Sequence, residues 1–292
     1  MDILNPLAAS RAIGAILIDA GKLTLADVER ILVAQRERGL RFGEAAVELG
    51  LLTIHDLQFA LARQYDFPYL QVGQSEVAEE LIAAYQPFSS QVEALRALRS
   101  QLLVRWFTGE ENRRILAVAS PGRSDGRSYL AANLAVVFSQ LGEHTLLIDA
   151  DMRNPRQHQL FNLENRSGLS SILSNRGEVS DIARIPSFVD LSVMSAGPVP
   201  PNPQELLGRP LFTRLLGELA HEFDVIIIDT PAASMYADVQ AIAQRAGGAL
   251  LLARAKETRM ADLRELAATL NQSGVAVVGS IFNESVVEKK PR

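Results

Sequence analysis

Three clusters of side chains in this sequence carry types and spacings that could do chemistry. The first is the loop SPGRSDGRS, residues 120–128, closing in Gly126-Arg127-Ser128. Backbone N–H groups of such a loop can surround phosphate oxygens at a helix N-terminus, with Ser128 placed to ligate Mg²⁺. The ordinary phosphate-loop pattern has Gly at 121 and Lys at 127, where this chain has Pro121 and Arg127. A guanidinium keeps the positive charge but is planar and larger than an ammonium, so Arg127 either meets the phosphates or is excluded from the loop by its size. The second cluster is Asp149-x-Asp151-x-Arg153 and the third is Asp229. Carboxylates just past strand ends near a phosphate loop hold Mg²⁺ through its waters. A lone Asp there is commonly a helix cap, and a Gly/Ser turn alone is common in α/β domains. Three apolar runs, two of them ended by acids, phased with one Gly-rich loop are hard to obtain by accident.

These residues need a sheet to place them. An apolar β-type run opening at Arg114 leads into the loop, and residues 145–153 and 223–231 form two further buried-type strands ending in Asp149-x-Asp151-x-Arg153 and in Asp229. Residues 128–141 follow as a helix ended by Gly142, 191–194 as a strand, 197–203 as a proline-stiffened loop and 211–221 as a helix. A helix starting at Asp238 and strands at 249–253 and 275–281 complete the pattern. Near-continuous Val, Ile, Leu and Ala runs require a mostly parallel sheet with helices on both faces. Asn283, just past the last run, fits either an adenine-edge contact or a turn.

SPGRSDGRS, then LLIDADMRNP, then VIIIDTP, resemble the Walker A, A′ and B motifs of bacterial tyrosine kinases, the P-loop enzymes of capsule and exopolysaccharide assembly. LSVMSAGPVPPNPQELL and GRS…AANLAVVFSQLGE…LLIDADMRNPRQH resemble the branch called chain length determinant protein tyrosine kinase EpsG. The resemblance spans roughly residues 90–285 and implies a P-loop NTPase-like fold that binds ATP and Mg²⁺. It implies nucleotide contacts from Gly122, Arg123, Ser124, Asp125, Gly126, Arg127, Ser128, Tyr129 and Asn283. Ser128, Asp149 and Asp229 would hold the metal; Asp149 or Asp151 would accept the tyrosine proton, and Arg153, with Arg127, would screen developing charge. It further implies a homo-oligomer through Glu93-x-x-Arg96-x-x-Arg99. Those three residues also fit a solvated helix face whose i,i+3 pairs are each worth about 0.2–0.5 kcal/mol. The partner implied is a membrane-embedded chain-length determinant, a polysaccharide co-polymerase. In the resembled kinases a C-terminal tyrosine cluster is the acceptor, but here Tyr65, Tyr69, Tyr85, Tyr129 and Tyr236 all lie upstream of the tail.

Composition narrows the setting. Of 292 residues 48% are hydrophobic, enough for two cored domains. A formal net charge of −5 argues against an electrostatic nucleic-acid binder. The absence of Cys removes thiolate metal sites and fits a reducing compartment. No apolar run reaches the 18 or so residues that span a bilayer, and MDILNPLAAS lacks the charged start of a signal peptide. The expectation is a cytoplasmic protein, peripheral to the inner membrane through its partner.

Residues 12–35 and 41–64 repeat one another at an offset of 29, with Gly14 matching Gly43, Gly21 Gly50, Thr24 Thr53, Asp27 Asp56 and Gln35 Gln64. Each half reads as a short helix ended by Gly, a Thr cap boxed by Asp, and a longer helix with inward stripes Val28, Ile31, Leu32 and Leu57, Ala60, Leu61. The repeat is similar to the N-terminal (MshEN-like) domain of type II secretion and pilus ATPases. That resemblance implies cyclic di-GMP at Arg11, Gly14, Gln35, Arg41, Gly43 and Gln64, with Ala12 standing at the first half's Arg position; the other reading is a helical docking module. The domains expected are a duplicated helical domain at 1–70, a linker at 71–90, the P-loop domain at 91–285 and a tail at 286–292.

Two functions of different class fit: an ATP-dependent protein-tyrosine kinase of exopolysaccharide export with chain-length control, and a nucleotide-dependent regulatory adaptor that catalyses little. A positioning ATPase of the MinD/ParA group fits less well, because the loop lacks that group's additional Lys.

Overall fold

The computed structural model describes residues 13–64, 70, 73, 75–110 and 113–284. Arg11 and the tail at 286–292 lie outside them. The chain divides into two compact units, 1–71 and 72–292.

The first unit is built from α1 (Ile13–Asp19), α2 (Leu25–Arg38), α3 (Phe42–Glu48) and α4 (Ile54–Gln64). The duplication is visible in its hydrogen bonds. Thr24 caps α2 through the Asp27 amide, and Thr53 makes the same bond to the Asp56 amide. Gly21 and Gly50 turn the chain at φ 68° and 66°, a left-handed conformation that strains any residue with a Cβ. The halves interlock, α1 packing on α4 and α2 on α3, around Leu17, Ile31, Ala46 and Ala60. Leu32 departs from the expected stripe. It is 40% exposed, because Ile31 and Ala34 take the inward face of α2.

The second unit begins with α5 (Ile82–Tyr85) and α6 (Ser90–Arg105). The nucleus follows as β1 (Ile115–Ala119), α7 (Arg127–Ser139) and β2 (Thr145–Asp149). Then come α8 (Gln157–Leu160), α9 (Leu169–Leu173), β3 (Ala183–Arg184), β4 (Leu191–Met194), α10 (Pro203–Gly208), α11 (Pro210–Glu222) and β5 (Val225–Asp229). The chain finishes with α12 (Asp238–Ala246), β6 (Gly248–Arg254), α13 (Met260–Gln272) and β7 (Ala276–Asn283). The sheet order is β3-β4-β2-β5-β1-β6-β7. All pairs are parallel except β3 with β4.

This order places the site. The chain leaves β1, makes β2 two positions away, and later returns with β5 to fill the gap. The acid-bearing end of β5 therefore lies between the loop after β1 and the acid-bearing end of β2. Every residue of β1, β2 and β5 is buried, as strands covered on both faces require. Residues 130–139 of α7 are buried as well.

The linker expected at 71–90 is corrected over residues 75–90, which form a strap belonging to the second unit. Leu81, Ala83, Ala84 and Tyr85 are buried. The Ala78 amide donates to Leu160 O at 2.9 Å, and Gln140 Nε2 donates to Ala83 O at 2.9 Å. At the centre is Asn133, fully buried in α7. Its Oδ1 accepts from the Ala83 amide at 2.9 Å, and its Nδ2 donates to Glu80 O at 3.3 Å and Tyr129 O at 3.0 Å. The pattern of Pro, Gly and Ser around the strap suggests a spacer, but its short apolar run has a polar anchor waiting on α7.

Replacing Asn133 with Leu removes that anchor and leaves a buried amide and carbonyls unpaired. The expected result is a loss of about 2–3 kcal/mol in urea unfolding, with faster hydrogen exchange confined to residues 78–86 and the neighbouring turn of α7.

Candidate nucleotide and metal site

The loop between β1 and α7 owes its shape to residues with unusual backbone angles. Ser124 sits at φ 58° and Gly126 at φ 105°. A Cβ on Gly126 would lie 2.7 Å from Asn283 Nδ2, so only Gly fits. The first amides of α7, at Arg127, Ser128 and Tyr129, have no helical acceptor and face the concave side of the turn. Asn283 Nδ2 donates to Asp125 O at 2.9 Å, and Arg254 Nη1 to Ser124 O at 3.2 Å. These bonds tie the loop to the ends of β7 and β6. Asp125 is nearly fully buried, accepts from the Gly122 amide at 2.8 Å and from Thr258 Oγ1 at 3.2 Å, and braces the loop from inside.

Arg127 directs its guanidinium at protein acceptors. Its side chain is only 9% exposed and runs beneath the loop. Nε donates to Thr230 O at 2.8 Å, and Nη1 donates to Gly122 O at 2.5 Å and to Ser120 Oγ. The guanidinium ties the end of β5 to the start of the loop, with its planar fork bridging three acceptors that a single ammonium cannot span.

The acids that end β2 and β5 lie side by side. Parallel register pairs Asp149 with Asp229 across β2 and β5, and both are fully buried. Asp149 Oδ1 accepts from the Asp151 amide at 3.2 Å, and its Oδ2 from the amides of Arg156 and Gln157, each at 2.9 Å. Asp229 Oδ2 accepts from Gln157 Nε2 at 2.8 Å, while its Oδ1 is buried with no hydrogen-bond partner. Burial pushes the Asp149 carboxyl well above its ordinary range, with Asp229 adding like charge. Burial also pushes Asp229 up to about 6, opposed by the Ser128 hydroxyl beside it, Gln157 and Arg127. Asp151 sits slightly further out, its Oδ1 accepting from the Arg153 and Asn154 amides.

Ser128, Asp149, Asp229 and the loop are thus gathered in one place, and Asp151 beside them. Arg153 is not. Its Nε donates to buried Asp238 at 2.7 Å and its guanidinium stacks on Tyr236 at 3.9 Å, at the start of α12. Of the helix α6 trio, Arg96 pairs with Glu93, and Arg99 Nη1 donates to Val137 O at 2.6 Å, holding α6 on α7. In the first unit, a Cβ on Gly43 would lie 2.5 Å from Leu57, whereas Gly14 has 3.4 Å to Phe42. Arg41 donates its amide to Glu44, and Gln35 and Gln64 are half-buried. Sequence reasoning missed the Asp238 clamp, the braces Thr258 and Arg254, and Gln157, because each acts across elements far apart in the chain.

A cavity of about 1060 Å³ opens over the loop. It is lined by Arg123, Ser128, Tyr129 and Asp151, by Leu95 and Leu98 of α6, by Tyr236, and by Leu252 and Asn283. Burial and the nearby Glu80 push the Tyr129 phenol up to about 12. Among the described residues no three His, Cys, Asp or Glu side chains come together as a complete metal cage. Mg²⁺ keeps several waters and takes one or two carboxylates with substrate phosphates. The unpartnered Asp229 Oδ1 fits such an ion, as does the hard oxygen set of Ser128, Asp149 and Asp229.

Comparison with known proteins agrees with this geometry. Residues 111–290 match the ParA family model, described as a NUBPL iron-transfer P-loop NTPase. The chain is 33% identical over 215 residues to the tyrosine-protein kinase YwqD of Bacillus subtilis, covering 74% of this chain and 90% of that one. It is 33% identical over 204 residues to the tyrosine-protein kinase wzc of Salmonella typhimurium, covering 70% of this chain but 28% of that one. The solved kinase domain of the Escherichia coli tyrosine kinase ETK superposes with a TM-score of 0.68 at 31% identity, over 76% of this chain and 86% of that domain.

Two outcomes follow from the buried charges. Arg127→Met should lower the stability of the nucleotide-free protein by about 2–4 kcal/mol in urea unfolding, whereas a cation that only met phosphates would leave it unchanged. Asp229 has a folded pKa above its unfolded value, so the folded state retains the proton longer as pH rises. Stability in EDTA should therefore fall between about pH 4 and pH 6 by on the order of 2 kcal/mol from this group, and Asp229→Asn should flatten that slope.

Proposed function

Because the chain belongs to the bacterial tyrosine-protein kinase family of ParA-like P-loop proteins, we propose that it binds ATP with Mg²⁺ and transfers the γ-phosphoryl group to tyrosine. The observation carrying this reading is the convergence of the loop, Ser128, Asp149 and Asp229 at the adjoining ends of β1, β2 and β5. Loop amides and the first amides of α7 hold the phosphates, aided by the helix dipole. Ser128, Asp149 and Asp229 hold the ion, which when bound neutralises charge on the phosphate oxygens. Asp151 is the better of the two candidate bases. It lines the cavity, whereas both oxygens of fully buried Asp149 already accept backbone amides.

Arg127 makes this an atypical Walker A loop, in which a side chain beneath the loop shapes it and phosphate charge falls to amides and cation. Arg153 serves by stacking on Tyr236 at the cavity wall while buried Asp238 holds its guanidinium. The EpsG-like motifs support placing the protein in the chain-length determinant branch, acting in exopolysaccharide synthesis beside a membrane-embedded co-polymerase. No helix among the described residues is long and apolar enough to cross a membrane, which is compatible with a peripheral position at the inner membrane through that partner. Self-association through Glu93, Arg96 and Arg99 belongs to the same reading. We assign the MshEN-like first unit to docking rather than to cyclic di-GMP, because Gly43 is accounted for by the close approach of Leu57.

The test is incubation with ATP, Mg²⁺ and a tyrosine-containing copolymer, read with anti-phosphotyrosine antibody. Wild type should label the acceptor, and Ser128→Ala and Asp151→Asn should each reduce labelling by about 100-fold or more. Wild type that binds Mg²⁺ and ATP yet labels no tyrosine would remove the kinase assignment.

A further inference from the structure

One residue, Gln157, touches every residue proposed to hold the metal, through its backbone amide and its side chain. Gln157 opens α8 and is fully buried. Its backbone amide donates to Asp149 Oδ2 at 2.9 Å. Its Nε2 donates to Asp229 Oδ2 at 2.8 Å and to Ser128 O at 3.2 Å. The other end of the same carboxamide is different: Oε1 is buried with no hydrogen-bond partner, as is Asp229 Oδ1.

Turning the amide over does not relieve this. Oε1 would then face the Asp229 carboxylate and the Ser128 carbonyl, acceptor against acceptor, and the two donors would be stranded. The orientation is therefore set by Asp229. The Ser128 hydroxyl stands beside Asp229, but Gln157 Oε1 has no protein partner, although buried acceptors in folded proteins are nearly always satisfied. Neither a Glu nor a Leu could do what a carboxamide does here, because only the amide donates to a carboxylate with one end and accepts with the other.

We infer that Gln157 is a positioning residue for the divalent cation. Its Nε2 turns Asp229 so that Oδ1 is presented to the ion, and its Oε1 accepts a hydrogen bond from a water held by that ion. Partners of this kind, behind the ligands themselves, orient carboxylates and commonly change metal affinity about 10–100-fold when lost. The inference rests on Ser128, Asp149 and Asp229 being the metal-holding residues.

The experiment measures ADP affinity by calorimetry with Mg²⁺ and again in EDTA, for wild type and Gln157→Leu. Mg²⁺ should strengthen ADP binding to wild type. In Gln157→Leu that enhancement should shrink by about 10–100-fold while affinity in EDTA stays within about threefold. If Gln157→Leu does not fold, Gln157→Met, of similar length, carries the same measurement. An unchanged enhancement overturns the inference, and so does an equal loss with and without Mg²⁺, which marks a purely structural role. Wild type that gains nothing from Mg²⁺ overturns instead the metal-site reading beneath it.

Discussion

The site is governed by a like-charge pair that strand register enforces. Parallel pairing of β2 with β5 sets Asp149 directly beside Asp229, both fully buried. Two carboxylates so placed do not readily ionise together without compensating charge or donors. The surroundings supply both: three backbone amides on Asp149, the Gln157 amide on Asp229, and the Arg127 guanidinium close by. What they leave unmet is a cation on the cavity side, and there Ser128 and the loop amides stand.

Seen this way, the substitution of Arg for Lys changes where positive charge is applied. The guanidinium lies under the loop and joins Thr230, Gly122 and Ser120. Asp125 closes the same turn from within through the Gly122 amide, and Asn283 and Arg254 hold its outer side. The loop has its working shape before any ligand arrives. Binding then needs little reorganisation, which favours affinity by lowering the ordering cost.

The sheet, the order of its central runs and the meeting of Ser128, Asp149 and Asp229 were legible in the sequence, because buried parallel strands and acid-ended runs leave strong local patterns. The duplication was legible for the same reason, since Thr-x-x-Asp caps and Gly turns are local. What was not legible depended on partners distant in the chain. Arg127 looks the same in sequence whether it points up at phosphate or down at Thr230, 103 residues away. Arg153 lies in the acid motif, yet its partner Asp238 is 85 residues further on. Gln157 follows the motif in a polar stretch with no periodicity to mark it. Residues 75–90 carry turn-type composition, and only the buried Asn133 on α7 reveals that they are held.

That strap sets the edge of the autonomous fragment. Excising the catalytic portion at residue 91, where composition suggests a clean boundary, would strip Leu81, Ala83, Ala84 and Tyr85 from the wall of α7 and open Asn133 to solvent. It would also delete Glu80, the ion-pair partner of Arg156, whose amide steadies Asp149. A self-sufficient phosphotransfer fragment of this chain therefore begins near residue 75, with its first dozen residues serving as an outer buttress to the helix that starts the phosphate loop's far side.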